Sequence, residues 1–376
     1  MILEDFFKRI ETHYNHKLPF VAYRKPNENQ VRGLLQQTNN LHITSDFTEK
    51  GFVFSPFDAT EKTVLIPLEN SESIQADIAV LEGDAKCLEV NKESNTTEDL
   101  KEKQQHINLI KKGVEAIANN QFKKVVLSRK ETVAVSESNP ISIFKRLLNT
   151  YKSAFVYCWY HPKVGLWLGA TPETLIKIEG NRFSIMALAG TQDYNGTLDV
   201  VWQDKEKEEQ QFVTDFILDN LKPSVESFRV SDVETVKAGN LLHLKTMISA
   251  QLKSGSNLKE VISILHPTPA VCGLPKREAK QFILENEHYN RAFYTGFLGE
   301  LNMETKLQSR SAKRNIENRA YTINRKSTRL YVNLRCMQLK DTEVIIYVGG
   351  GITKHSNLER EWEETVSKSL VIKNVL

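Results

Sequence analysis

The sequence predicts an α+β fold in which large, mostly antiparallel sheets are flanked by helices. Three observations predict it. Strand-like runs follow one another with helical patterns inserted between them, whereas a parallel sheet calls for regular alternation of strand and helix. Several of these runs read as hairpin pieces: SAFVYCWYHP, VGLWLGA, and ETLIKIEGNRFSIMAL with its turn at 179–181. No GxGxxG opens a helix and no GxxxxGK[ST] occurs, so nothing points to a doubly wound nucleotide-binding sheet. A length of 376 residues suits one large unit or two domains, and no internal repeat divides it.

In chain order, Leu3, Phe6, Phe7 and Ile10 mark an opening helix, and GFVFSPF and TVLIPL read as short strands. Residues 91–97 are polar and poor in strand formers, a connector or exposed loop. From 98 to 118, Ile107, Ile110, Val114 and Ile117 fall on one helical stripe, and QFKKVVLSRKETVAV follows as a strand. Helical pattern returns near Lys205 and at 276–286. A basic insert at 302–329 lies between two strand patterns and reads as a solvated loop. The chain closes with EVIIYV, a loop of three glycines (Gly349, Gly350, Gly351) and a helix. Ser356 followed by Glu359 is a capping-box signature that starts this helix near Asn357. Along it Glu361, Glu364, Thr365 and Lys368 share one face, while Leu358, Trp362, Val366 and Leu370 form the apolar stripe beside it.

Composition narrows the function classes. An apolar fraction of 40% and a charged fraction of 26% are those of an ordinary globular protein. The formal charge of +3 is too small to ask for nucleic acid or a membrane surface. The N-terminal stretch has early acids and no apolar segment resembling a secretory signal, and no apolar run is long enough to span a bilayer. Cys87, Cys158, Cys272 and Cys336 fit neither a zinc spacing nor a disulfide framework, so reduced thiols in a cytoplasm are expected.

Several polar residues sit where the pattern asks for apolar ones. In FKKVVLSR, Lys124 alternates with Phe122, Val126 and Ser128, and Lys123 with Val125 and Leu127. One of the two lysines therefore points inward or sits at a sheet edge. A buried lysine loses charge readily and can serve as a general base; an edge lysine discourages aggregation. Glu209 stands three, four, seven and eight residues before Phe212, Val213, Phe216 and Ile217, on the stripe that should be buried. A carboxylate there needs a metal ion or a cationic partner, unless it belongs to a solvated first turn. Glu173 enters a strand after Pro172, where a partly apolar site would make it a proton donor, although a solvated turn acid is the commoner case. Arg335, in the strand YVNLRCM, suits bidentate binding of a carboxylate, and an edge-strand arginine is just as ordinary. His243 reads as a core histidine, and HPTPAVCG at 266–273 as a rigid loop. The glycines let a ligand approach the backbone, and two carboxylates with an ammonium nearby suit a divalent cation and an anion.

Taken together these stretches resemble the chorismate-utilising enzymes, most closely those of the isochorismate synthase type. The resemblance runs from about 105 to the end: KVVLSR (124–129), GATPETL (169–175), ALAGT (187–191), EEQQFVTDFI (208–217), HLKT (243–246), HPTPAVCG (266–273), RAFYTGFLG (291–299), LRC (334–336) and GGGI with EREWEET and Lys368 (349–368). Residues 1–104 resemble the family's variable N-terminal part only loosely. The resemblance implies one domain over 1–376 with the fold of anthranilate synthase component I and a site between its halves.

It also implies roles. Lys124 matches the lysine that activates water at C2 of chorismate, and Glu173 the acid that protonates the departing C4 hydroxyl. Glu209 and Glu364 match the Mg²⁺ ligands, with Glu361 close enough to act through water. Arg335, Lys368 and the N–H groups of Gly349, Gly350 and Gly351 match groups that hold the substrate carboxylates, and Gly190, Thr191, His243 and Ala270 fall on the pocket wall. Lys124 together with Ala189 implies water as nucleophile, since related enzymes carry glutamine at the first place or a nucleophilic lysine at the second. Salicylate synthase, which also eliminates pyruvate, shares that pair and is the alternative. Gln210 departs from the histidine common after the metal-binding glutamate. The resemblance implies a cytoplasmic enzyme, monomeric, with no glutaminase subunit, membrane or nucleic-acid partner, feeding menaquinone or catechol siderophore synthesis.

Overall fold

The computed structural model describes residues 1–78, 97–135, 138–238, 241–307 and 323–376. Among them the strands form two sheets in which all pairings are antiparallel. The first runs β15 (Gly273–Leu274), β7 (Lys124–Ala134), β19 (Glu343–Ile352), β18 (Cys336–Lys340), β9 (Gly165–Thr171), β8 (Phe155–His161), β1 (Phe20–Arg24), β2 (Gln30–Gln36), β6 (Ser71–Asp77). The second runs β12 (Val225–Val230), β14 (Leu241–Leu252), β11 (Arg182–Asp193), β10 (Thr174–Glu179), β17 (Ile323–Val332), β16 (Phe297–Leu307), β4 (Gly51–Ser55), β5 (Thr63–Pro67), β3 (His42–Thr44), with β13 (Glu234–Ala238) also on β14. Both sheets thus take strands from the first eighty residues.

Alternation along β8 shows how the layers arise. Phe155, Tyr157 and Trp159 enter an aromatic core shared with Phe52, Phe54, Leu298 and Tyr331 of the other sheet, while Val156 and Cys158 face the opposite way. Rings stack across the sheets, with Phe155 and Tyr331 4.1 Å apart. On the outer face of the first sheet lie α1 (Leu3–Asn15), through Phe6, Phe7 and Ile10, and α3 (Pro140–Thr150), through Ile143, Phe144 and Leu147. On the outer face of the second lie α4 (Asp204–Leu221), through Val213, Phe216 and Ile217, and α5 (Leu258–Leu265). Both α2 (Thr97–Ala118) and α6 (Lys276–Asn286) pack on β7. The last helix, α7 (Leu358–Lys373), packs on β19.

Several expectations need correction. The glycines are no loop: Gly349, Gly350 and Gly351 belong to β19 and pair with Ser128, Leu127 and Val126. Arg335 lies between β17 and β18 and not in a strand. The cap of α7 is Asn357, whose side chain accepts from the Arg360 N–H, one residue later than the Ser356 signature placed it. That helix also turns its polar face inward. Its inner face carries Glu361, Thr365, Lys368 and Ser369, whereas Leu370 is 45% exposed and Val366 36%. The C-terminal half of the apolar stripe faces solvent here, because the polar stripe lines a cavity, while Leu358 packs on the core beside α2 and Trp362 lies against Arg129 and His106. The ends of the basic insert extend the β16–β17 hairpin; residues 308–322 lie outside the described residues, as do 91–96 of the connector, and Thr97 already opens α2.

Candidate active site

The chain crosses from one sheet to the other twice at one place, and the site forms there. Residues 172–173 link β9 to β10, and 333–335 link β17 to β18. The crossings are tied together: Val332 N–H donates to Glu173 O at 3.0 Å and Ala170 N–H to Arg335 O at 2.9 Å. Gly169 permits this approach, since a Cβ there would lie 2.5 Å from Arg335 O. Sheet pairing therefore fixes the backbones of Glu173 and Arg335 beside each other.

Glu173 is 4% exposed, and its side chain has no hydrogen bond or ion pair among the described residues. Burial pushes its carboxyl up to about 8, although Lys124 and Arg335 pull the other way. It therefore keeps its proton at neutral pH. Arg335 is 8% exposed and likewise has neither hydrogen bond nor ion pair for its guanidinium among the described residues. Burial lowers its pKa, and only the fields of Tyr294, Glu364, Glu173 and Cys336 offset this. An arginine desolvated without an acid partner is costly unless a ligand supplies the anion.

Lys124 begins β7 and is fully buried. Its Nζ lies 2.6 Å from Glu209 Oε1, an ion pair by distance that approaches off the line of a hydrogen bond. Glu209 is in the second turn of α4, which starts after a Gln203–Glu206 capping box, so the solvated first-turn reading does not apply. Burial raises the Glu209 carboxyl, but Lys124, then Lys205 and Lys368, hold it below its ordinary value. Gly351 makes room for this pair: a Cβ there would come 2.6 Å from Glu209 Oε1 and 3.1 Å from Lys124 Cε.

On α7, Glu361 Oε1 accepts from Lys205 Nζ at 2.7 Å, while Oε2 is buried without a partner. Burial raises the Glu361 pKa, and the neighbouring Glu364 carboxylate raises it further. Lys368 Nζ donates to Gly349 O at 3.0 Å and to Glu364 Oε1. Glu361 Oε2 and Glu364 Oε1 each lie 3.6 Å from where a Gly350 Cβ would sit, so both face one spot beside the strand. An orphan carboxylate oxygen, two like charges drawn together and an all-oxygen donor set fit a hard divalent cation. Among the described residues no three acids converge on one point, because Glu209, Glu361 and Glu364 are each drawn to a different lysine.

The wall across from these groups comes from β11 and β14. A bulge between Ala189 and Gln192 places Gly190 at φ +72°, and its carbonyl accepts from His243 Nδ1 at 2.8 Å. Burial pushes His243 down to about 4, against that bond, so the imidazole is neutral and leaves Nε2 as an acceptor.

Glu173, Gly190, Thr191, Glu209, His243, Ala270, Arg335, Gly349, Gly350, Gly351, Glu364 and Lys368 all line one cavity of about 110 Å³. Lys124 and Glu361 stand behind its wall, each bonded to a residue in it. Among the wall residues that sequence reasoning missed are Lys205, Glu206 and Tyr294. Lys205 precedes Glu209 by one helical turn, which was the available signal; Tyr294 offered none. Among the described residues no helix is long and apolar enough to cross a membrane.

Comparison with known proteins agrees with this geometry. A family model described as chorismate binding enzyme matches residues 60–310, and a second of the same description matches 320–374. The chain belongs to the chorismate binding enzymes. It is 27% identical over 282 residues to isochorismate synthase MenF of Pasteurella multocida, covering 71% of this chain and 60% of that one. It is 27% identical over 269 residues to isochorismate synthase EntC of Escherichia coli K12, covering 69% and 63%. The chain thus matches less than two thirds of the length of either relative. The solved menaquinone-specific isochorismate synthase MenF of Escherichia coli superposes with a TM-score of 0.73 at 19% identity, over 95% of this chain and 88% of that one, a likeness of fold.

Proposed function

We propose that the chain is an isochorismate synthase, adding water at C2 of chorismate as the C4 hydroxyl departs. The observation that carries this reading is a cavity lined by a buried carboxyl, Glu173, that keeps its proton at pH 7, with a buried amine, Lys124, directly behind its wall and paired to Glu209. Lys124 takes the proton of the attacking water, both ring double bonds shift as the C4–O bond breaks, and Glu173 protonates the leaving hydroxyl. Arg335, with no acid of its own, holds one substrate carboxylate, and Lys368 is placed to help with the other. Mg²⁺ would be held by Glu209 and Glu364 with Glu361 beside them, and when bound it offsets the substrate's negative charge. His243, neutral at working pH, accepts a hydrogen bond and does not titrate with the reaction.

The cavity of about 110 Å³ is below the roughly 300 Å³ or more usual for small-molecule sites, so the substrate enters only if rim side chains move. The test is product identification after incubation with chorismate and Mg²⁺. Isochorismate is expected by chromatography and mass spectrometry, with turnover lost in Lys124→Ala while circular dichroism stays native. Unimpaired Lys124→Ala overturns the reading, and accumulation of salicylate with pyruvate replaces it by salicylate synthase.

A further inference from the structure

Lys205 is the rim group with the most unusual surroundings. It lies in the first turn of α4, its ammonium meets Glu361 at 2.7 Å, and the fields of Glu209 and Glu364 reach it as well. It faces the catalytic cavity on one side and a second hollow of about 260 Å³ on the other, which Glu209 also lines. The side chain can therefore leave Glu361 without moving its backbone.

We propose that Lys205 is a cation placeholder: it neutralises Glu361, as Lys368 does Glu364, when no divalent ion is bound, and is released into the cavity as a carboxylate anchor when the ion enters. The inference rests on the proposed metal-dependent reading. It explains why the acids are held apart although their chemistry suits a cation. An ammonium delivers one charge and hydrogen bonds one oxygen, leaving Glu361 Oε2 without a partner. A divalent ion delivers two charges to the same acids and has to displace it. Once displaced, Lys205 joins Arg335 and Lys368 around the space a dianion fills, so the ion and the substrate favour each other's binding.

Calorimetric titration with Mn²⁺ in the absence of substrate tests this on wild type, Lys205→Met, Lys205→Arg and Glu209→Gln. Lys205→Met, which removes the competing charge at similar length, is expected to bind Mn²⁺ about tenfold tighter, and Lys205→Arg to remain near wild type. With Mg²⁺ saturating, Lys205→Met is also expected to raise KM for chorismate several-fold while kcat changes less. Equal or weaker Mn²⁺ binding in Lys205→Met overturns the placeholder, and an unchanged KM overturns the anchor. No Mn²⁺ binding by wild type, or binding untouched in Glu209→Gln, overturns the metal site itself.

Discussion

Two buried glutamates at the meeting of the sheets have opposite fates. Glu300, 5% exposed on β16, accepts from Tyr23 at 2.7 Å and from Lys25 at 3.0 Å, with Arg32 close by. Burial raises its carboxyl, but Lys25 and the Tyr23 bond hold it below its ordinary value, and it is ionised. Glu173 is buried to the same degree without such partners and keeps its proton. The arginines divide the same way. Arg291 is gripped by Glu287, Val271 O and Val126 O, while Arg335 has no acid partner among the described residues. Charges that hold the fold together are satisfied from within. At the cavity Glu173 and Arg335 are left open, and the molecule bears that cost where a ligand can relieve it.

Exchanging each member of these pairs for a neutral group breaks or sharpens the contrast. The largest effect is expected at the glutamates. Glu173→Gln should lower kcat by about 10²–10⁴, the usual share of one proton donor, with the fold intact. Glu300→Gln should leave kcat/KM near wild type and destabilise by about 3–5 kcal/mol, since Lys25 and Arg32 lose their buried partner. Chemical denaturation and steady-state kinetics read the two together. If Glu173→Gln unfolds the chain, or Glu300→Gln abolishes turnover while stable, the division between open and satisfied charges is wrong. Next come the arginines: Arg335→Met should raise KM on the order of 10²-fold at unchanged stability, while Arg291→Met should fold poorly because the buried Glu287 carboxylate keeps its Ser128 hydrogen bonds but loses its countercharge.

The same distinction explains what the sequence made legible. Lys124 and Glu209 stood out because each breaks an apolar period, and both prove to face the cavity or its wall. Glu173 and Arg335 looked ordinary, a turn acid and a strand arginine, because their burial comes from two chain crossings far apart in sequence. Only the resemblance singled them out. The polar stripe of α7 was visible, yet its orientation was not: periodicity reports that a helix has two faces, and here the cavity takes the polar one. The glycines read as a loop because propensity disfavours them in strands. Backbone pairing with β7 overrides that preference, and Glu209 needs the space. α3 and α5 went unnoticed although Asn139 with Pro140, and Asn257, cap their starts, and neither carries a site residue.

The smallest effect is the most diagnostic of Glu173. If it must donate a proton, kcat/KM falls as pH rises through about 8, tenfold per unit above it, and Glu173→Gln loses that limb. Stability should carry the same signature with a definite sign. Below the ordinary value of 4.5 the carboxyl is protonated folded or unfolded, so its contribution to stability is fully present. Between there and about 8 only the folded chain keeps the proton, so unfolding releases it and stability declines with each unit of pH. Glu173→Gln does not titrate in either state. Its melting temperature should match wild type near pH 4 and exceed it by a few degrees at pH 8. Glu300→Gln should be the less stable variant at pH 8, because there it is the ionised carboxylate that the fold has been built to hold. Equal pH profiles for the two variants would mean that both acids are structural, and that the open cavity charges are no different in kind from the paired ones.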